Sequence, residues 1–280
     1  AELSAKSVNV GGNADITAGT NLTAHDVSVG GDLNAKGQNI HAVHIKSTGK
    51  TALTATTGNI TAKNLSADGT LDAAAKTNLT VDSVTGKGKT VLTAQTGDLT
   101  VNGTVRTDAD AVLTAGKDVT LGGAFSAKQN VSLTAGQNAT LNDKTDVGGT
   151  LTANVGRDLV TNGAVTTGSD FTATVGNNVI TNNIVTTGGN LVMKVMNDLT
   201  AHAAVLSYGT AQLDAQNVKL NADLTADKNL TITATKNIFT KAGTNLYTKS
   251  DGRLKAHDAN LDGDVRADGT LTIETDEQLT

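Results

Sequence analysis

The sequence predicts an all-β fold, a parallel β-helix wound from units of about 20 residues. Three observations carry that reading. An Asp or Asn followed by an inward-type residue recurs at a nearly constant interval. Each interval holds short runs in which apolar and polar residues alternate. Finally, the 280 residues include no Pro, Cys or Trp and only three Phe and two Tyr.

The recurring Asx positions are Asn21, Asn39, Asn59, Asn78, Asp98, Asp118, Asn138, Asp158, Asn178, Asp198, Asn217 and Asn237. Asp258 continues the series after a slightly longer interval, Gln278 is a degenerate last member and Glu2 a candidate first. Roughly fourteen units result. The stretches from Gly97-Asp98-Leu99-Thr100 to Asn197-Asp198-Leu199-Thr200 follow one another without any change of interval and mark the most regular part.

Three runs recur in each unit. One follows the Asx, as in Leu79-Thr80-Val81 and Val119-Thr120-Leu121; a second centres on Val105, Phe125, Val165 and their equivalents; the third is of the Leu113-Thr114-Ala115 type. The first and third alternate with period two, which is the strand signature, and no run is long enough for a helix. Gly116, Gly136, Gly156 and Gly176 stand just ahead of the Asx, where corners are needed. Strands that pair on both edges must all donate their N–H groups, so the missing Pro agrees.

A core without many aromatics loses their large buried areas. Leu, Val, Ile and Ala are expected to fill a narrow interior, with Thr outward. Strict periodicity argues against disorder despite the polar composition. Coils stacked at about 4.8 Å each predict a three-sided rod on the order of 65 Å long. The rhythm varies in the first fifty residues and breaks over 240–256, where an irregular loop region within the single 1–280 repeat domain is expected. The coil ends are expected to be open templates for further pairing, with the natural protein continuing in at least one direction.

The net charge of −5 is interspersed rather than blocked, so no nucleic-acid footprint is expected. No apolar stretch is long enough to predict a membrane span. The opening stretch, Ala1 to Lys6, does not resemble a signal peptide.

Phrases such as Leu113-Thr114-Ala115-Gly116-Lys117-Asp118-Val119-Thr120-Leu121 and Val131-Ser132-Leu133-Thr134-Ala135-Gly136-Gln137-Asn138-Ala139-Thr140 resemble the repeats of filamentous haemagglutinin. The resemblance covers essentially the whole chain. It implies a right-handed β-helical shaft of a two-partner-secretion exoprotein, either an adhesin or a contact-dependent growth-inhibition toxin. Such a protein is exported through an outer-membrane β-barrel transporter, which acts on another region of the parent. The shaft is displayed on the surface of a Gram-negative bacterium, facing host-cell or bacterial receptors. The family's secretion domain carries Asn-Pro motifs; with no Pro here, that domain is expected elsewhere.

Candidate sites are weighed residue by residue. Asn59, Asn78, Asp98, Asp118, Asn138, Asp158, Asn178, Asp198, Asn217 and Asn237 mix amides and carboxylates freely, unlike calcium ligands, and read as a structural ladder whose side chains cap turns by bonding local backbone and stack coil on coil. Asn102, Asn142, Asn162, Asn182, His202 and Asn221 form a second polar ladder at a neighbouring corner. His25, His41 and His44 are close enough for a metal site, but no Cys joins them, and His41 and His44 are expected on opposite faces of a strand. A β-helical polysaccharide-active enzyme would need paired carboxylates in a groove, and Arg106, Arg157, Arg253 and Arg266 fall in different coils with no common partner. Val160 and Ile180 replace Thr at successive rungs, and Val192 is outward on the third run; together they form a candidate contact patch.

The resulting expectation is a non-enzymatic shaft segment with no catalytic residues, cofactor or metal. Its alternative is a receptor- or glycan-binding adhesion module acting through the 160–192 wall or the 240–256 region.

Overall fold

The computed structural model describes all 280 residues. Its 34 strands, with no helix, form a right-handed parallel β-helix of about 14 turns with roughly 20 residues per coil. Two compact units divide the chain, residues 1–137 with 141–143, and residues 138–140 with 144–280.

In the first unit the coil from Leu99 to Asp118 shows the plan. Leu99–Val101 forms a first face, Val105–Thr107 a second and Ala111–Ala115 a third. Corners at 102–104, 108–110 and 116–118 join them. Period-two alternation turns Leu99, Val101, Leu113 and Ala115 inward, and each is no more than 3% exposed. Coils pair in parallel with like residues stacked: Leu79, Leu99 and Val119 are successive partners, as are Leu92, Leu113 and Leu133. In the earlier coils the first and second faces run on as single strands, Asn21–Val29, Asn39–Ser47, Ile60–Ala67 and Leu79–Gly86. There the bend between the two faces is one residue shorter, Leu79 to Val84 against Leu99 to Val105. The uneven rhythm of the first fifty residues arises at the third-to-first corner, where Leu33 to Ile40 is shorter than its equivalent Thr51 to Ile60.

The second unit repeats the plan, with Leu159, Val179 and Leu199 in one inward column. Phe171 fills the third-face position above Leu151 and is 1% exposed. From Ala211 onward the third and first faces fuse into long strands, Ala211–Leu220, Leu230–Thr240 and Gly252–Leu261.

The expected irregular loop over 240–256 is corrected. That stretch holds the strand Asn245–Thr248 and the start of Gly252–Leu261, both paired in register. The irregularity is one enlarged corner. Leu220 pairs with Thr240, but Leu224 pairs with Leu246 where an unchanged corner would bring it to Thr244. The corner at Lys241–Thr244 is longer by that difference. Gly243 takes φ 81° there, in the left-handed region that glycine adopts without penalty, and Thr244 N–H closes the turn onto Lys241 O at 3.1 Å.

Thr is outward as expected, but it is also inward. Thr107, Thr167, Thr187 and Ser207 are buried at the end of the second face. Their hydroxyls reach corner carbonyls: Thr107 to Gly88 O at 2.9 Å, Thr187 to Ser169 O at 2.8 Å and Ser207 to Gly189 O at 3.0 Å. The Ser169 and Gly189 carbonyls also accept backbone N–H groups of the next coil, from Gly189 at 3.0 Å and Gly209 at 2.8 Å, so the hydroxyl takes a second lone pair and is satisfied without leaving the core.

Candidate functional site

The Asx series stands at the corner between third and first faces, and its chemistry differs from the local capping expected. Asp98 N–H donates to Asn78 Oδ1 at 2.9 Å and Asp118 N–H to Asp98 Oδ1 at 3.2 Å. In the second unit Asn178 N–H donates to Asp158 Oδ1 at 3.1 Å and Asp198 N–H to Asn178 Oδ1 at 3.2 Å. The bond therefore runs to the next coil. The reason is directional. The Asn78 carbonyl already accepts from Ile60 N–H in the preceding coil, at 3.0 Å, so the following coil needs a side-chain acceptor. Asn and Asp both supply Oδ1, which explains their free mixing. Asn59 and Asn138 act likewise, accepting from Asn78 N–H at 2.9 Å and Asp158 N–H at 3.4 Å. Asn217 and Asn237 instead donate side-chain amides, to Asp198 Oδ1 at 2.7 Å and Asn217 Oδ1 at 2.9 Å.

The second ladder occupies the corner between first and second faces. Asn182 Nδ2 donates to Asn162 Oδ1 at 2.8 Å, and Asn221 Nδ2 lies 3.0 Å from His202 Nδ1. A third ladder, unforeseen, braces the remaining corner. Asn130 N–H donates to Asp110 Oδ1 at 3.0 Å, Asn190 N–H to Asp170 Oδ1 at 2.7 Å and Thr210 N–H to Asn190 Oδ1 at 2.9 Å. Its signal lay in the sequence as an Asx immediately before the third run, in Asp110-Ala111, Asn130-Val131, Asp170-Phe171 and Asn190-Leu191.

The contact patch does not form. Val160 and Ile180 are register partners on the first face, but Val192 pairs with Thr172 and Gln212 on the third. The exposed apolar residues Ile184, Met196 and Tyr208 also fall at three different corners. Nor do His41 and His44 point to opposite faces. Both are exposed, because the chain bends between first and second faces at Val43, and the bend resets the alternation. His25 and His44 rings meet edge-on at 6.2 Å.

Charged residues pair locally. Arg106 faces Asp108 at 3.9 Å, Arg253 faces Glu274 at 3.1 Å and Arg266 faces Asp268 at 2.9 Å. At the second-to-third corner, alternating charges join neighbouring coils: Asp68 with Lys87 at 3.0 Å, Asp108 with Lys128 at 2.8 Å, Asp227 with Lys249 at 2.7 Å. The Lys128 hydrogen bond holds the Asp108 carboxyl below its ordinary range. His257 bridges two coils, with Nδ1 3.1 Å from Asp258 Oδ2 and Nε2 3.6 Å from Glu277 Oε1. The hydrogen bond to Asp258, reinforced by the Glu277 charge, raises its pKa. This trio is the one grouping with metal-ligand character, yet its two ring nitrogens face different carboxylates, which suits an ion-pair bridge better than a shared ion.

The coils flanking the enlarged corner carry a different surface. A groove of about 670 Å³ runs along the second face between two outward columns, Asn245 and Asp264 on one side, Thr225, Tyr247 and Arg266 on the other. Tyr247 OH donates to Asp268 Oδ2 at 2.6 Å, which raises the phenol's pKa and lowers the carboxyl's. The Arg266 guanidinium lies 5.4 Å from the Tyr247 ring centroid. A smaller groove of about 280 Å³ lies on the first face, beside Phe239 and Asp258. No helix is long and apolar enough to cross a membrane. Comparison with known proteins found no matching family model, no matching curated protein and no matching solved structure.

Proposed function

We propose that this chain is a structural segment of a secreted bacterial surface protein, holding distal binding or effector regions away from the cell. The observation that carries the reading is the triple bracing of the coils. All three corners carry inter-coil ladders in which an Asx Oδ1 accepts from the next coil, from a backbone N–H at two corners and a side-chain amide at the third. Such a solenoid is stabilised by nearest-neighbour interfaces, and its length follows the number of repeats. The sequence resemblance to filamentous haemagglutinin repeats supports export through an outer-membrane two-partner-secretion transporter and display outside a Gram-negative cell. Absence of Cys suits passage as an unfolded chain, and coil-by-coil folding outside would oppose return. The role is mechanical and non-enzymatic.

A whole-coil deletion tests it. With dyes on Ser28 and Ser126, two outward second-face positions of the first unit, removal of residues 99–118 should leave the chain folded and shorten the dye separation by about 4.8 Å. Surface presentation of a fused epitope should scale with coil number and be indifferent to exchange of outward Thr100 and Thr120 for Ser. Presentation that ignores coil number but collapses on those exchanges would defeat the spacer role.

A further inference from the structure

On the second face of the second unit, one coil breaks the polar surface of its neighbours. Leu206 stands outward there, in register with Thr186 and Thr225, and Tyr208, 52% exposed, opens the corner beside it. The three preceding coils hold Asp146, Thr166 and Thr186 at the Leu206 position, and Gly148, Gly168 and Gly188 at the Tyr208 position. Adjacent apolar side chains rimmed by polar ones are the pattern of a contact surface.

The residues around this pair match one another across it. Seven second-face strands stack in register from Thr145–Val147 to Asp264–Ala267, and Val205–Ser207 is the middle one. A two-fold axis along that middle strand reverses the stacking direction and sets the first of the seven against the partner's last. Lys144 then faces the partner's Asp264, and Asp146 faces the partner's Arg266. Lys144 and Asp146 hold each other at 2.6 Å and Arg266 holds Asp268 at 2.9 Å, while Asp264 has no cation in its own chain. Leu206 and Tyr208 meet their own equivalents on the axis.

The corner that follows the second face matches in shape as well. Asp227, Lys249 and Asp268 project from it, and they come opposite the partner's Gly188, Gly168 and Gly148, which have no side chains. An axis along the stacking direction does the reverse, setting Asp146 against Asp146 and Arg266 against Arg266. Like charges so placed oppose pairing. Seven coils at about 4.8 Å, over a strip about 16 Å wide, cover on the order of 1,000 Å² across two copies, the lower bound for specific association.

We propose that this second face pairs two copies of the chain side by side and antiparallel. The inference is independent of the spacer role, which a single shaft also serves. The test is sedimentation equilibrium on the full 280-residue chain, from micromolar to millimolar concentration. The parent chain should pass from monomer to dimer. Leu206→Lys puts like charges on the axis and should weaken pairing at least about tenfold. Asp264→Lys, facing the partner's Lys144, should weaken it at least about fivefold, and adding Lys144→Asp should return it to within about threefold of the parent. Direction is read by a short bis-maleimide: Leu206→Cys should be joined across copies, whereas Thr166→Cys, about 19 Å from its equivalent along an antiparallel pair, should not. Circular dichroism establishes that each variant is folded; if Leu206→Lys is not, the charge exchange decides. The proposal is overturned by a monomer at every concentration, by a dimer that survives Leu206→Lys in folded chains, by an exchange that fails to restore pairing, or by cross-linking at Thr166→Cys.

Discussion

The coil from Leu99 to Asp118 and the coil from Asn237 to Asp258 have the same plan and different content. In the first, three-residue corners separate short strands, Thr100 and Thr114 are outward, and an Asx Oδ1 accepts a backbone N–H from the next coil. In the second, two faces fuse into one strand, a corner is enlarged, and Phe239 and Tyr247 stand outward. Regular coils are near-interchangeable because their outward residues contribute little to the stacking. The later coils depart where the departure adds no burial. The contrast teaches that in a solenoid the repeat carries the stacking, and the exceptions change the surface without breaking it.

The comparison breaks most visibly at the aromatic residues. Phe171→Ala should destabilise the chain by about 3–5 kcal/mol, the loss expected for a buried ring plus its cavity, whereas outward Phe239→Ala should change stability by about 1 kcal/mol or less. Urea denaturation of the two variants measures the difference; equal losses would mean that the later rings serve packing too.

The ladder provides the next effect. Asp98→Ala removes the acceptor of Asp118 N–H and should destabilise by about 1–2 kcal/mol, with faster hydrogen exchange at that amide. Asp98→Asn keeps Oδ1 and should remain within about 0.5 kcal/mol of the parent. In the later coils Asn237→Ala, which deletes only a side-chain pair, should lose about 0.5 kcal/mol.

A smaller gain is expected inside the regular coils. Thr161 and Thr181 are stacked register partners whose buried hydroxyls have no hydrogen-bond partner. Replacing Thr181 by Val removes a desolvated polar group at nearly constant shape and should stabilise by about 1 kcal/mol, read as a higher urea midpoint.

The smallest effect is pH-dependent and takes opposite signs in the two regions. His257 has a raised pKa in the folded chain, so its contribution is complete below the ordinary 6.5 and disappears as pH rises through the higher folded value. Asp108, lowered by Lys128, contributes above the ordinary 3.8 and fails as pH falls through its lower folded value. Thermal melts of His257→Gln and Asp108→Asn should lose the neutral-side and acid-side slopes respectively.

Much of this architecture was legible in the residues. The spacing of Asp98, Asp118 and Asp158 and the alternation in Leu113-Thr114-Ala115 are local consequences of strand geometry and of a constant coil, so they survive without tertiary information. The grouping of Val160, Ile180 and Val192 did not survive. Face membership depends on where corners fall, and Val192 lies past two corners from Ile180. The Asx role was half legible: a repeated acceptor is visible in a string of letters, but its donor is not.

The sequence by itself determined the coil, its period, and which residues face in along the first and third strands, because side-chain direction alternates with the backbone. Only the tertiary structure decided which outward residues share a face, and that the corner acceptors bond the next coil and not their own turn. It also decided that Tyr247, Arg266 and Asn245 wall a common groove. The physical reason is the same in each case. These relations join residues a full coil apart across stacked parallel strands, so their geometry is set by corner length and carbonyl direction, neither of which is written in a hydrophobic pattern.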